Sequence, residues 1–399
     1  MKILFMRVLV ALVLVGAGTL GPALAECWEG TLPSGAPYRI CLPENYNGRL
    51  VVFAPGYISP TKKPAIPDDQ LILADGYSLP DLVTGFGFAF AVTGYRDTGL
   101  VVQEGMEDLK ELVKQFVDEV GRPDYVYLAG VSQGGLIAAL LAEEKPQYFN
   151  GALSCCAAIG DFRRQINYWG DVRVIFDYFF PKVLPGSPVS IPLKLINNWY
   201  SFYENKVKIA LIFHPHATDQ LLAVTRVPPG PTPQTRLQAV MDNLWYNVFA
   251  TNDAIDKLGG QPYDNRLRLY TGSDNDLMLN QRVARFQADA AALAEMQKYQ
   301  TSGRLRIPLV TLHNTQDHVV PYWHEWLYRF KVIAQGSAGR YVHLPVPRWG
   351  HCHFNTSDVL VAFYYLICMV DDAGGRTALP TPEALGMDFA SEPQKSQSR

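Results

Sequence analysis

The sequence predicts an α/β fold, a mostly parallel sheet flanked by helices and interrupted by an inserted, largely helical segment. Three observations carry this reading. Short apolar runs alternate with amphipathic helical patterns from Gly48 to Gly160, the alternation stops from Asp161 to Gly303, and it resumes at Arg304. Strands covered by helices on both faces read as continuous apolar runs, which is the form of the runs found here.

The elements follow in order. Lys2 and Arg7 flank the start of the apolar run VLVALVLVGAGTL, and Ala23 and Ala25 fit a small-residue cleavage site. Residues 1–25 are therefore expected to be a signal peptide, with the mature chain starting at Glu26 in a secreted or periplasmic setting. An uncleaved anchor is disfavoured because the run is short for a membrane span. Export permits disulfides. Cys27 and Cys41 bracket a Pro-Ser-Gly turn between two short strands, so a staple across a hairpin is expected.

The core is expected over 26–160 and 304–374. RLVVFAPGY, GFGFAFAVTGY (85–95), DYVYLAG (124–130) and GALSCCAAIG read as strands. Before the third, Met106, Leu109, Val113, Phe116, Val117 and Val120 recur at three- and four-residue steps, the pattern of an amphipathic crossover helix. Residues 161–303 are too many for a loop and form a candidate cap. RLRIPLVTLHN, a helix around YWHEWLYRFKVIAQ, the strand RYVHLPV and a closing helix SDVLVAFYYLICMV complete the core. The polar tail 375–399 is expected to be disordered.

Composition narrows the function. The 399 residues are 48% hydrophobic, enough for a large core, and 35 basic against 38 acidic residues leave a formal charge of −3. No field of one sign favours a nucleic-acid partner. No later segment is long and apolar enough for a stable membrane span in the mature chain. No cysteine pair has the spacing of a structural zinc site, and no cofactor or metal is expected.

Gly130-Val131-Ser132-Gln133-Gly134 sits where a strand ends and a helix begins. A sharp turn there lifts the serine hydroxyl to the carboxyl edge of the sheet, and glycine at 130 and 134 removes side chains that would collide. An ordinary glycine-rich turn is the plain alternative. A nucleophile needs a base and a carboxylate to orient the base. Asp317, after the strand RIPLVTL, and His351, after RYVHLPV, occur in the required order.

These residues resemble the α/β-hydrolase superfamily over about 48–160 and 304–372, as a secreted serine esterase or lipase-like member with a cap insertion. The resemblance implies an α/β-hydrolase fold and a triad of Ser132, Asp317 and His351. It also implies an oxyanion hole from the backbone N–H of Gln133 and one from the loop at Ala54–Tyr57. There the family often has His-Gly and this chain has Pro55-Gly56, so Tyr57 is the first choice for the second donor and Gly56 the next. On such a sheet Cys352 lies on the same edge as Cys155 and Cys156, so a bridge to one of them is expected, with Cys368 as a competing partner and buried thiols as the alternative.

Other candidates are weighed against these. His353, His313 and His318 lie near the base and acid loops, and Asp358 is the rival acid. The pair His214 and His216 lacks a third ligand at helical spacing, and Asp274 and Asp276 read as turn or helix-cap residues. Trp169, Phe176, Tyr178, Phe179 and Phe180 read mainly as the insertion's own core, with a few expected at the pocket. The function read from this is hydrolysis of small or medium carboxylic esters. A peptidase or amidase of the same fold is the alternative, and a non-catalytic binding module a distant one.

Overall fold

An eight-stranded sheet in the order β1-β2-β4-β3-β5-β6-β7-β8 forms the centre of the computed structural model, which describes residues 25–373. Apart from Ala25, the expected leader (1–25) lies outside the described residues, as does the expected tail (375–399). β1 (Ala25–Thr31) and β2 (Pro37–Pro43) form an antiparallel hairpin with Cys27 opposite Cys41, and a disulfide joins the two. β2 then pairs antiparallel with β4, so the stapled hairpin extends the edge of the main sheet.

β3 (Arg49–Ala54), α1 (Leu79–Gly85), β4 (Ala89–Thr93), α2 (Val102–Glu119), β5 (Tyr125–Val131), α3 (Gln133–Glu144) and β6 (Gly151–Cys155) follow, with β3 to β6 paired in parallel. Every residue of β4 and β6 is buried, as continuous apolar runs require. α2 turns Met106, Leu109, Val113 and Phe116 inward as its spacing predicts, while Val117 at the rim of that face is exposed. Each such large apolar side chain contributes about 1.5–3 kcal/mol when fully buried.

Between β6 and β7 the chain leaves the sheet through α4 (Phe162–Phe179), α5 (Leu193–Asn197), a π-helical turn (Trp199–Tyr203), α6 (Glu204–Phe213), α7 (Pro215–Thr225), α8 (Pro233–Leu258), α9 (Asp276–Arg282) and α10 (Ala290–Glu295). The helices start where the sequence supplies caps. Asp161 accepts from Arg164 N at the start of α4, and Thr232 forms a capping box with Thr235 before α8. Val172, Ile175, Phe176, Trp199, Leu244 and Val248 belong to a hydrophobic cluster internal to this segment. β7 (Leu309–Gln316), α11 (Trp323–Ala334), β8 (Tyr341–Trp349) and α12 (Thr356–Ala373) return to the core, with β7 parallel to β6 and β8 parallel to β7. Among the described residues no helix is long and apolar enough to cross a membrane.

Candidate active site

Ser132 stands at the junction of β5 and α3 with φ 53° and ψ −118°, a conformation that side chains avoid and that costs on the order of 1–3 kcal/mol. Packing holds it there. Ser132 N donates to Cys155 O of β6 at 2.8 Å, and Leu136 N closes the first turn of α3 on Ser132 O at 3.1 Å. A Cβ at Gly130 would strike the Gly134 carbonyl, and one at Gly134 would strike the carbonyl oxygens of Ala54 and Pro55. The two glycines let the turn close.

Asp317 and His351 reach Ser132 from the ends of β7 and β8. His351 Nε2 lies 3.0 Å from Ser132 Oγ, and His351 Nδ1 lies 2.7 Å from Asp317 Oδ2. Asp317 is fully buried, and its Oδ1 accepts from Val319 N and Val320 N, both at 2.9 Å. Burial by itself would raise the carboxyl pKa, but the imidazoles of His351 and His313 outweigh it and hold Asp317 well below the usual carboxylate range.

A buried pair stands behind the acid. His313 Nδ1 faces Glu325 Oε1 at 3.0 Å and His313 Nε2 faces Val320 O at 2.8 Å, so both ring nitrogens meet acceptors. Glu325 Oε2 is itself satisfied by Thr311 and Tyr341 hydroxyls, as an ionised carboxylate would be. Burial would lower the His313 pKa, but Asp317 and Glu325 push it up to about 10. Acceptors at both ring nitrogens favour the doubly protonated ring, with Nε2 3.5 Å from Asp317 Oδ2.

The base loop is clamped from two sides. Cys352, next to His351, forms a disulfide with Cys156 just beyond β6, while Cys155 and Cys368 are free thiols. Of the partners expected for Cys352, the bridge takes Cys156. Asn314, fully buried on β7, donates to His353 O and accepts from His353 N. The His353 side chain is left exposed, away from Ser132. Asp358 is occupied by Arg348 and Asn355 N, so the rival acid faces elsewhere.

Ser132 and His351 open into a cavity of about 290 Å³ lined by Phe53, Gly56, Tyr57, Gln70, Leu73 and Tyr246, among others. The loop after β3 supplies much of that wall. Gly56 N donates to Gln70 Oε1 at 2.6 Å, which occupies that donor and favours Tyr57 of the two expected there. Gln133 opens α3, so its N–H has no acceptor within the helix. Its side chain points away, bridging Val101 N and Gly99 O.

The inserted segment reaches this cavity through Tyr246 of α8, which lines it together with Ser132, close enough for the two hydroxyls to interact. Trp169 stacks flat behind the Tyr246 ring, with centroids 4.7 Å apart and planes 2° apart. Phe176 and Phe180 are buried in the segment's own cluster, and none of the five aromatics from 169 to 180 lines the cavity. A few of the insertion's aromatics are expected at the pocket; Tyr246 takes that place and these five do not, because α4 packs its aromatics onto the other inserted helices. α4 and α8 also grip the acid loop. Tyr168 OH and Asn243 Nδ2 donate to His318 O, Gln165 and Trp169 donate to Val319 O, and His318 Nε2 pairs with Asp242 at 2.7 Å.

His214 and His216 do not converge. His214 lies against Phe180, and exposed His216 pairs with Asp274. Asp276 accepts from Gly272 N and Ser273 N, as a turn residue does, while Asn275 caps the helix that follows. Tyr246, Gln70, Asn314 and the pair His313–Glu325 take positions that sequence reasoning does not assign them. Only the acid loop, with His313 four residues before Asp317, offers a signal.

The sheet order and the serine turn after β5 give the chain the α/β-hydrolase fold. No family model and no curated protein sequence matches it. Among solved structures it is similar to Pyrococcus horikoshii acylaminoacyl peptidase, at 11% identity and TM-score 0.47 over 94% of this chain and 45% of that one. It is also similar to a Pyrococcus furiosus esterase, at 12% identity and TM-score 0.43 over 89% and 90%. A third is feruloyl esterase B from Aspergillus oryzae, at 14% identity and TM-score 0.45 over 87% and 80%. The chain spans less than half the length of the acylaminoacyl peptidases it matches.

Proposed function

We propose that this chain is a serine hydrolase that cleaves carboxylic esters through an acyl-enzyme. The observation that carries the reading is the continuous line from Asp317 through His351 to Ser132, with bonds of 2.7 and 3.0 Å. Ser132 Oγ attacks the acyl carbon while His351 Nε2 takes its proton. The tetrahedral intermediate collapses, and the departing alcohol leaves with that proton. Water then attacks the acyl-enzyme, giving one proton to His351, which returns it to Ser132 Oγ as the second tetrahedral intermediate collapses and the acid departs. Backbone N–H groups of Gln133 and Tyr57 are the proposed donors to the oxyanion. The chemistry asks for no cofactor.

Residues 161–303 act in this reading as a cap that limits substrate size, contributing Tyr246 over the nucleophile and holding the acid loop. The apolar lining of the cavity suits small or medium esters. The two disulfides support an exported protein, because such bonds persist in oxidising compartments. Labelling with a fluorophosphonate, followed by a panel of chromogenic esters of rising chain length beside aminoacyl and peptidyl anilides, tests the proposal. Covalent labelling with ester turnover exceeding anilide turnover is expected. Faster anilide cleavage would replace the esterase with a peptidase, and absence of labelling would remove the acyl-enzyme.

Tyr246 gives a second check. Tyr246→Phe keeps the stack on Trp169 and removes only the hydroxyl at Ser132, so kcat should fall by roughly tenfold to a hundredfold, the range for losing a hydrogen bond to a developing charge. Unchanged kcat would reduce Tyr246 to a wall of the cavity.

A further inference from the structure

The exposed apolar side chains of the inserted segment fall in a pattern. The π-helical turn Trp199–Tyr203 runs directly into α6, and Trp199, Tyr203, Val207 and Leu211, four residues apart, form the buried face. At 3.6 residues per turn, Phe202, Ile209, Ile212 and Phe213 project from the opposite side. They are 55%, 53%, 56% and 74% exposed, unusual for four large apolar groups in one stripe. Lys206 and Lys208 fall on its two flanks, Lys206 donating to Lys182 O and Val183 O and Lys208 pairing with Glu204, so Lys182 and Lys194 carry the uncompensated charge of this stretch. Within residues 182–216 there are four lysines, at 182, 194, 206 and 208, against the single acid Glu204, in a chain whose total charge is −3.

An apolar stripe bordered by lysines is the design of a helix that lies in a lipid interface, with the apolar groups among the acyl chains and the ammonium groups at the headgroups. We propose that this helix docks the chain onto an anionic lipid bilayer. A second copy of the chain fits the surface less well, since a two-fold interface brings each lysine-rich patch against itself. The helix is also tied to the candidate site. Tyr200 stacks on Phe249 with centroids 5.8 Å apart and accepts from Trp245 Nε1 at 2.8 Å, and the Trp245 ring meets Tyr246 edge-on at 5.1 Å. Docking would place the Tyr246 helix close to the lipid surface, but it does not depend on chemistry at Ser132.

Flotation of the full chain with vesicles of phosphatidylcholine, with and without phosphatidylglycerol, tests this. Binding is expected to the anionic vesicles and to weaken with added salt. The triple variant Ile209→Ser, Ile212→Ser, Phe213→Ser should weaken it by at least about tenfold while leaving hydrolysis of a short ester unchanged, because these side chains are on the surface. The double variant Lys182→Gln, Lys194→Gln should lose roughly thirtyfold on anionic vesicles only, at about 1 kcal/mol per lysine. The proposal is overturned if anionic vesicles do not float the chain, if neutral vesicles bind it equally, or if the triple variant floats as well as the parent. The last result would assign binding to another segment, such as the apolar N-terminal run. Light scattering that finds a dimer in the parent and a monomer in the triple variant would assign the stripe to a second copy instead.

Discussion

Ser132→Ala is expected to abolish fluorophosphonate labelling and to lower kcat by on the order of 10⁵-fold or more, the scale found when a triad serine is removed. The size follows from the geometry. Ser132 Oγ is the atom that His351 Nε2 meets at 3.0 Å, and a methyl group can neither attack an acyl carbon nor give up a proton. The proposed backbone donors to the oxyanion are untouched by the substitution, so a residual rate above water is expected. Stability should change little. The side chain is truncated without adding atoms, and the strained backbone at φ 53° is held by Cys155 O, Gly130 and Gly134 rather than by the hydroxyl. Intact-mass measurement of the variant after exposure to the reagent checks the assignment, and a covalent adduct on Ser132→Ala would sink it.

Why this residue is legible from sequence, while its neighbours are not, is a matter of range. Gly130-Val131-Ser132-Gln133-Gly134 encodes a local steric requirement, two positions where any Cβ meets backbone, and such a requirement is written in adjacent residues. The alternation of strands and helices is equally local, and so the parallel core and the interruption after β6 can be read directly. Asp317 and His351 can be found because parallel sheet topology places the ends of β7 and β8 on the same edge of the sheet as the end of β5. Tyr246 has no such signature. Its place over Ser132 depends on how α8 packs against α4 and on the stack with Trp169, contacts between residues far apart in the chain. The aromatic-rich stretch 169–180 is the louder signal in the sequence, although most of it fills the segment's own interior. Asn314 and the pair His313–Glu325 are likewise hidden, because a buried polar residue shows its purpose only when its partners are known.

Asp317→Asn should lower kcat by on the order of 10⁴-fold, since the oriented base would be held in the wrong tautomer. The backbone sets this outcome. Val319 N and Val320 N both donate to Oδ1, so the amide oxygen of the substituted side chain has to stay there and its NH₂ has to face His351 Nδ1. His351 would then accept at Nδ1 and carry its proton on Nε2, facing Ser132 with a donor where an acceptor is required. The neighbouring carboxylates are already engaged. Glu325 is held by His313, Asp242 by His318 and Asp358 by Arg348. Stability gives an independent readout. The Asp317 carboxyl pKa is lowered on folding, so its contribution is present above the unfolded value of about 3.9 and is lost as pH falls below it. The variant should therefore be less stable than the parent near neutrality, where it leaves His313 with one carboxylate in place of two, and the difference should narrow in acid. Denaturant unfolding at several pH values, run beside ester kinetics, separates the two effects. A kcat loss under about tenfold would transfer the orienting role away from Asp317. A stability difference that widened in acid would contradict the charge assignment of the His313–Asp317 pair.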